Sequence, residues 1–278
     1  MGDIAPESPL YESDPSGGES SASSERRFGG IARLYGDEAC ARFAGARVAV
    51  VGIGGVGSWA AEALARSGVR RLTLVDLDHV AESNTNRQIH ALDGEYGKPK
   101  VQAMADRIRA IDPAAETVAI EEFLDAGNAE ALLRGVDWVI DCTDAVRAKA
   151  ALIACARERG IGAVSCGAAG GRRDPGRLRV ADLSAAAGDP LLAKLRHRLR
   201  REHGFPADGL RGRAGRFGVA AVYSDEPVRY PDPDASCAPG GAEPGSPLAC
   251  GGYGSVVTVT AAMGLLAAAR VLEGIAGP

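Results

Sequence analysis

A glycine-rich turn between two apolar runs constrains this chain more than any other feature. An apolar run at residues 48–51 enters the turn GIGGVG, a small-residue helix follows, and a second apolar run at residues 72–75 ends at Asp76. This order is typical of a βαβ unit that binds a nucleotide. The turn glycines let backbone N–H groups approach a phosphate, and the helix N-terminus favours its negative charge. The glycines concerned are Gly52, Gly54, Gly55 and Gly57.

The acid at the tip of the second strand suits a ribose, because the carboxylate of Asp76 can accept hydrogen bonds from two hydroxyls. The motif alone leaves NAD, FAD and ATP open as ligands, and on this stretch alone NAD is the commoner interpretation.

Apolar runs and helical patterns continue to alternate along the chain. Helices are expected at 37–43, 101–111, 129–133 and 148–159, and strands at 117–120, 138–140 and 163–165. This alternation predicts an α/β fold, a Rossmann-like, mostly parallel sheet with helices on both faces. Ligands of such sheets bind at the carboxyl ends of strands, so Gly57, Asp76 and Asp144 are expected to face one crevice.

The second half of the chain predicts a smaller C-terminal α/β region, residues 171–278. It holds strands at 177–181 and 218–224, a basic amphipathic helix at 191–201 and a polar loop at 231–248. The apolar run at 256–271 contains Arg270 and is shorter than the ~20 residues of a bilayer span, so we expect a buried core helix and no membrane association. Residues 1–25 read as a disordered tail by composition. The ordered domain is then 26–278, with a nucleotide-binding core at 45–170.

Composition limits the compartment and the class of partner. The net charge of −4 signals no general affinity for nucleic acid, so such contact must come from a local patch. The six cysteines include no CxxC pair. A disulfide framework and a structural zinc site are therefore not expected, and we expect a reducing, cytoplasmic compartment. Cys142, Cys155 and Cys166 lie in apolar surroundings and are expected to be buried and inert, while Cys237 and Cys250 lie in or near the polar loop.

Charged residues after the fingerprint favour ATP over NAD. An adenylating site needs fixed cations beside the phosphates and a carboxylate for Mg²⁺. Arg87 and Lys100 can supply the cations, and Asp144 can supply the carboxylate. Asp144 could also cap the following helix, either instead of binding the metal or in addition to it. Asp78 is either a second metal ligand or a hydrogen-bonding residue of its loop.

Several segments in fixed order resemble the ubiquitin-activating-enzyme-like superfamily of adenylating enzymes. They are VGIGGVGS, LVDLDHV, SNTNRQ, KPKV and DCTD, within residues 26–170. The resemblance implies that Asp76 binds the ribose, that Asn84, Arg87 and Lys100 hold the phosphates, and that Asp144 holds Mg²⁺. The cysteines that bind zinc in many sulfur-transfer members of the superfamily are absent from this chain.

A wider resemblance covers nearly the whole ordered chain. RFGGIARLYG, NTNRQIHAL, VRAKAALIACAR, DPLLAKLRHRLR and CGGYGSVVTVTAAMG are similar to the tRNA threonylcarbamoyladenosine dehydratase family. The resemblance implies an adenylating domain that uses ATP and Mg²⁺ to activate the carboxylate of the modified adenosine, followed by cyclisation and release of AMP and pyrophosphate. It also implies a homodimer and allows a sulfur-relay protein partner. Relatives place an arginine from the N-terminal segment on the phosphates; that position is Gly30 here, which leaves Arg33 as the candidate.

The predicted helix at 191–201 carries the candidate tRNA contacts, because phosphate binding needs clustered cations. A solvated helix face is the alternative interpretation. Two rival functions remain: an adenylating enzyme for the C-terminus of a sulfur-carrier protein, and an NAD-binding oxidoreductase or non-catalytic nucleotide sensor. The candidate contacts are Lys194, Arg196, Arg198, Arg200 and Arg201.

Overall fold

The computed structural model describes residues 21–207, 215–230 and 253–277. These residues contain seven strands and eight α-helices. The strands are β1 Arg47–Val51, β2 Arg71–Val75, β3 Glu116–Ile120, β4 Trp138–Asp141, β5 Gly162–Cys166, β6 Leu178–Asp182 and β7 Ala220–Ser224. The helices are α1 Ser21–Tyr35, α2 Asp37–Gly45, α3 Gly57–Arg66, α4 Lys100–Ile111, α5 Ala129–Leu132, α6 Val146–Glu158, α7 Pro190–Glu202 and α8 Val257–Ala276.

The strands form one sheet in the order β3-β2-β1-β4-β5-β7-β6. All neighbouring pairs are parallel except β6 and β7, which are antiparallel. The predicted α/β class with a mostly parallel sheet is therefore confirmed. The chain builds outwards from β1 through β2 to β3 and then crosses to β4 on the other side of β1. This reversal places a ligand-binding crevice at the carboxyl ends of β1 and β4.

Helices cover both faces of the sheet. One apolar layer contains α2, α3, α4 and α8, and the other contains α5, α6 and α7. Alternate residues of β1 serve the two layers: Val48 and Val50 pack into the first, and Ala49 and Val51 into the second. Burial on both faces explains why the strands read as continuous apolar runs rather than as alternating patterns.

Helix α8 confirms the prediction of a buried helix near the C-terminus. Among the described residues it has the length and apolar composition of a membrane span, but Val259, Met263 and Ala267 are fully buried in the core of this fold. Helix α8 approaches α3 so closely that a Cβ atom on Gly264 would lie 2.3 Å from the carbonyl oxygen of Val56. Helix α8 therefore packs directly against the first turn of α3.

The N-terminal boundary differs from the expected one. Helix α1 begins at Ser21, so the last residues of the expected tail, 21–25, are helical, while residues 1–20 lie outside the described part of the chain. Helix α1 continues through the segment FGGIARLY, and α2 covers the predicted helix at 37–43. The predicted polar loop at 231–248, with Cys237, and also Cys250, lie outside the described residues.

Candidate active site

The glycine turn leaves β1 in a conformation that only glycine fits well. Gly52 has φ +89°, and its N–H donates to the carbonyl of Val75 at 2.8 Å. A Cβ atom on Gly52 would lie 2.9 Å from the carbonyl oxygen of Cys142, and one on Gly57 would lie 1.9 Å from the oxygen of Gly52. A Cβ atom on Gly54 would meet no described atom within 4 Å. The turn is thus packed on one side and open at Gly54, where a ligand can approach the backbone.

Helix α3 begins at the end of this turn. Its N-cap is Val56, which contributes no side-chain hydrogen bond to the first turn in the described chain. The backbone N–H groups and the positive end of the helix dipole can therefore bind an anion that lies over the glycine turn.

Asp76 follows β2 and reaches back to the glycine turn. One carboxylate oxygen accepts a hydrogen bond from the N–H of Ile53 at 2.6 Å, and the other accepts one from the N–H of Asp78 at 2.9 Å. Burial raises the pKa of Asp76, and the positive charge of Lys100 opposes part of that rise. Each oxygen keeps a second lone pair, so the carboxylate can still accept hydrogen bonds from ribose hydroxyls.

Lys100 is a buried cation at this edge of the sheet. It opens α4, its side chain is 7% exposed, and its Nζ lies 2.6 Å from Oδ2 of Asp78, whose side chain is 59% exposed. The N–H of Lys100 also donates to the carbonyl of Asp78 at 2.9 Å. The carboxylate of Asp78 therefore holds the ammonium of Lys100 in place, and its role as a second metal ligand stays a prediction.

Arg87 lies against the glycine turn from the neighbouring loop. A Cβ atom on Gly55 would lie 3.1 Å from its Cγ, and the indole N–H of Trp59 on α3 donates to its carbonyl at 2.9 Å. The guanidinium donates to the carbonyl of Ser83 at 2.7 Å and to Oδ1 of Asn86 at 2.9 Å. Both acceptors are exposed and uncharged, so the positive charge of Arg87 is not neutralised by them.

Asn84 organises the same loop from inside. Its side chain is buried, its Oδ1 accepts from the N–H of Ala81 at 3.1 Å, and its carbonyl accepts from the N–H of Arg87 at 3.0 Å. The carbonyl oxygen of the side chain is therefore engaged by the loop backbone, and the side-chain NH₂ remains as a donor for a ligand.

Asp144 follows β4 and is exposed. Its carboxylate makes no hydrogen bond or ion pair with the described residues, and the N-cap of α6 is Ala145. The alternative interpretation of Asp144 as a helix cap is therefore wrong. Among the described residues no three potential ligands cluster closely enough to hold a metal ion by themselves. A single free carboxylate fits a Mg²⁺ ion that takes most of its ligands from phosphate and water.

A buried charge network lies beneath the loop between β4 and α6, which carries Asp144, and it was not predicted from the sequence. Lys149 of α6 lies 2.8 Å from Oδ2 of Asp141, and both side chains are fully buried. The same carboxylate accepts hydrogen bonds from the hydroxyls of Ser165, at 2.9 Å, and Thr143, at 2.8 Å. The available signal was a lysine within the apolar helix pattern of VRAKAALIACAR and a second acid at the end of β4.

The basic residues of α7 divide into two groups. Arg196 donates to the carbonyl of Ala186, and Arg200 donates to the carbonyl of Pro206 at 3.1 Å and lies over the ring of Phe217. These two guanidinium groups serve the packing of the helix, which corrects their predicted role as nucleic-acid contacts.

The other basic residues face an open cavity. Arg198 and Arg201 both pair with Glu202, whose pKa they lower to about 2, while Lys194 is exposed and pairs with no described residue. The cavity has a volume of about 550 Å³ and is lined by Val146, Ala193, Lys194, His197, Arg198 and Arg201. Val146 is the first residue of α6, so the cavity adjoins the loop that carries Asp144.

Arg33 does not lie near the glycine turn of its own chain, at the carboxyl edge of the strands. Arg27 of α1 donates to the carbonyl of Ile111 at 2.8 Å, and Phe28 packs beside Gly68, so α1 contacts the C-terminal ends of α4 and α3. Those ends lie opposite the carboxyl edge of the strands, where α3 begins. Arg33 is exposed and has no hydrogen-bond or ion-pair partner among the described residues.

The thiols of Cys142 and Cys155 have raised pKa values. Cys166 is buried as predicted, whereas Cys142 and Cys155 are half-buried, which corrects the prediction that they are buried. The sulfur atoms of Cys142 and Cys166 lie 3.8 Å apart, and this contact, with burial, raises the pKa of Cys142 well above its usual value. Burial also raises the pKa of Cys155. Raised pKa values keep both thiols protonated, in agreement with the prediction that they are inert.

Comparisons with known proteins identify the family of this chain. The sequence matches the ThiF family over residues 29–278. It is 45% identical over 252 residues to the tRNA threonylcarbamoyladenosine dehydratase of Escherichia coli (strain K12), a match that covers 89% of this chain and 92% of that protein. Crystal structures of the E. coli tRNA N6-threonylcarbamoyladenosine dehydratase in complex with ATP and with AMP each superpose with a TM-score of 0.80 at 42% identity, covering 92% of this chain and 96% of theirs. The chain therefore belongs to the ThiF family and, within it, to the tRNA threonylcarbamoyladenosine dehydratases.

Proposed function

We propose that this protein is an ATP-dependent enzyme that dehydrates and cyclises threonylcarbamoyladenosine in tRNA. The substrate carboxylate attacks the α-phosphorus of ATP, pyrophosphate leaves, and an acyl-adenylate forms. A nitrogen or oxygen of the urea-like group then attacks the activated carbonyl, a ring closes, and AMP leaves with the oxygen lost from the carboxylate. The observation that carries the proposal is the nearly full-length likeness to a dehydratase whose structures hold ATP and AMP.

The site suits adenylation because its charges match a triphosphate. Asp76 is assigned to the ribose, and the open glycine turn at Gly54 to the phosphates. Arg87 and Lys100 are assigned to the negative charge that develops as pyrophosphate leaves. Ring closure is intramolecular within the substrate and needs no nucleophile from the enzyme.

The free carboxylate of Asp144 is assigned to Mg²⁺. The residues fit this ion, since Mg²⁺ is usually held by one or two carboxylates together with substrate phosphates and water. When bound, the ion neutralises phosphate charge. Replacing Asp144 with alanine is expected to abolish AMP formation and to leave the unfolding midpoint unchanged, because the side chain is exposed and has no described partner. AMP output at the wild-type level from this variant would refute the assignment.

The tRNA is assigned to the cavity face of α7, with Lys194, Arg198 and Arg201 as its phosphate contacts. Support comes from their place around the cavity beside the loop that carries Asp144. Unlike Arg196 and Arg200, these three side chains donate no hydrogen bond to a backbone carbonyl of the described residues. Arg198 and Arg201 share one exposed carboxylate, Glu202, which a phosphate can displace because exposed ion pairs contribute little.

A homodimer would explain the position of Arg33. Because α1 lies at the far edge of the sheet, Arg33 could reach a nucleotide only in a second copy of the chain. Mixing an Arg33→Ala variant with an Asp144→Ala variant tests this arrangement. Mixed dimers are expected to regain activity if Arg33 acts in the partner's site, whereas no activity returns if the arginine acts within its own chain. The cytoplasmic location and a sulfur-relay protein partner remain predictions, as does the division into residues 45–170 and 171–278.

The decisive assay supplies ATP and tRNA that carries threonylcarbamoyladenosine. The expected products are AMP, pyrophosphate and a nucleoside lighter by one water, measured by mass spectrometry. Pyrophosphate exchange that depends only on a Gly-Gly-tailed carrier protein would instead favour the sulfur-carrier alternative. Calorimetry with ATP and with NAD separates both adenylating enzymes from an NAD-binding oxidoreductase, because the adenylating enzymes are expected to prefer ATP.

A further inference from the structure

The ion pair between Lys149 and Asp141 is fully satisfied within the described structure. The Lys149 Nζ contacts Oδ2 of Asp141 at 2.8 Å, the carbonyl of Thr143 at 2.9 Å and the carbonyl of Asp141 at 3.4 Å. Both carboxylate oxygens of Asp141 accept further hydrogen bonds, from Ser165 and Thr143. A buried charge pair stabilises a fold little compared with apolar residues of the same volume, so its presence points to a role in geometry.

The network fixes one residue above all, Thr143. The N–H and hydroxyl of Thr143 donate to Oδ1 of Asp141 at 3.2 and 2.8 Å, and its carbonyl accepts from Lys149. Its neighbour on one side is Cys142, whose carbonyl packs against Gly52 of the glycine turn. Its neighbour on the other side is Asp144. The network therefore sets the position of Asp144 relative to the turn that faces the phosphates.

We propose that Lys149 and Asp141 are positioning residues that hold the carboxylate of Asp144 where it can bind the divalent cation of a metal–ATP complex. This inference rests on the proposed function only for the role of Asp144. Lysine suits the task because its ammonium carries three donors, which can hold one carboxylate and two carbonyls at once. Partners that orient a metal ligand typically change metal affinity by about 10- to 100-fold when they are removed.

The experiment measures metal binding rather than turnover. Mn²⁺ is titrated into the full-length protein saturated with ATP, and free Mn²⁺ is followed by electron paramagnetic resonance. In Lys149→Met the dissociation constant for Mn²⁺ is expected to rise by about 10- to 100-fold. The affinity for ATP measured by calorimetry in EDTA is expected to stay at the wild-type value, since neither residue contacts the open side of the glycine turn.

Ser165→Ala is the matched control. It removes a hydrogen bond from the same carboxylate of Asp141, at 2.9 Å, whereas the described hydrogen bonds of Thr143 go to Asp141 and Lys149 and not to Ser165. A network that only stabilises the fold predicts wild-type Mn²⁺ affinity in both folded variants, although Lys149→Met is expected to lose more stability because it leaves a buried carboxylate unpaired. A positioning network predicts weak Mn²⁺ binding only in Lys149→Met. The double variant Asp141→Leu/Lys149→Met separates the two effects further: its unfolding midpoint is expected to recover relative to Lys149→Met, while Mn²⁺ binding stays weak.

Unchanged Mn²⁺ affinity in a folded Lys149→Met protein would overturn the proposal, as would an equal loss in Ser165→Ala. If Lys149→Met does not fold, Thr143→Val decides, because it removes only the hydroxyl that joins the loop to Asp141; weaker Mn²⁺ binding supports the proposal and unchanged binding refutes it. These titrations use no tRNA, so a failure of the proposed tRNA chemistry leaves their outcome intact.

Discussion

Replacing Lys100 with methionine tests the candidate phosphate site most sharply. The ammonium lies 2.6 Å from the carboxylate of Asp78, its side chain is 7% exposed, and that of Asp78 is 59% exposed. Methionine keeps the length and apolar stem of the side chain and suits the first turn of α4. The carboxylate left behind remains hydrated, so the ion pair lost should cost only about 0–1 kcal/mol of folding free energy.

The effect of Lys100→Met on catalysis should be much larger than its effect on folding. Removing one preorganised donor to a developing charge costs roughly 10²–10³ in kcat, or about 2.7–4 kcal/mol of transition-state stabilisation. The assay is AMP formation from ATP with modified tRNA, with the unfolding midpoint measured on the same samples. A stability loss of about 1 kcal/mol would lower Tm by only about 2–4 °C in a chain of this size.

Lys98→Met is the matched control for that experiment. Lys98 lies two positions upstream in the same segment, its Nζ is 3.0 Å from Glu95, and its side chain is 44% exposed. Because its ammonium pairs with Glu95, whereas that of Lys100 pairs with Asp78, its replacement is expected to leave AMP formation unchanged. If Lys100→Met retains wild-type activity, or if both variants lose activity equally, Lys100 does not stabilise the phosphates.

Three further predictions follow from the geometry. Gly54→Ala should fold normally but bind ATP weakly in calorimetry, and normal ATP binding by this variant would contradict the approach of the phosphates to Gly54. Gly57→Ala should fail to fold, because its Cβ atom would lie 1.9 Å from the carbonyl oxygen of Gly52. Alanine at the three cavity-lining cations should weaken tRNA binding and reduce the slope of log affinity against log salt by about 3, while an unchanged slope would exclude this face. These cations are Lys194, Arg198 and Arg201. Burial and the charges of Lys100 and Arg107 lower the pKa of His90 from 6.5 to about 4, so between these pH values the unfolded chain binds a proton that the folded chain does not. The free energy of unfolding should therefore fall by up to about 3 kcal/mol as the pH drops from 6.5 to 4. Urea unfolding should show a smaller fall in His90→Leu, and equal pH dependence in the two proteins would contradict this role of His90.

Periodicity was a sufficient guide to the elements that form the crevice. The apolar runs at 48–51 and 72–75 lie within β1 and β2, and the small-residue stripe after the glycine turn is the buried face of α3. Strands covered on both faces and helices covered on one have distinct patterns, and a parallel sheet brings the carboxyl ends of its strands to one edge. The positions of Asp76 and Asp144 at that edge could therefore be predicted before any coordinates.

Side-chain partners from distant segments could not be predicted in this way. Arg196 and Arg200 read as part of a solvated basic face, because only the leucines of α7 mark its buried side. Both side chains are long enough to bend back to carbonyls of the flanking loops, at Ala186 and Pro206, which no helical periodicity reveals. Lys149 was missed for the opposite reason, since an isolated lysine in an apolar helix looks like a surface residue until Asp141 is found beside it.

The structure also indicates how much must move when a nucleotide binds. The three loops of the crevice are already joined by backbone hydrogen bonds, from Gly52 to Val75 and from Cys142 to Val51, each at 2.8 Å. These loops therefore need little reorganisation, and preorganised donors of this kind are those that lower a barrier most. Lys100 differs, because its ammonium is bound to Asp78 and must share or leave that partner to contact a phosphate. Since the side chain of Asp78 is largely exposed, water can replace the lysine at small cost, and the change is confined to one side chain.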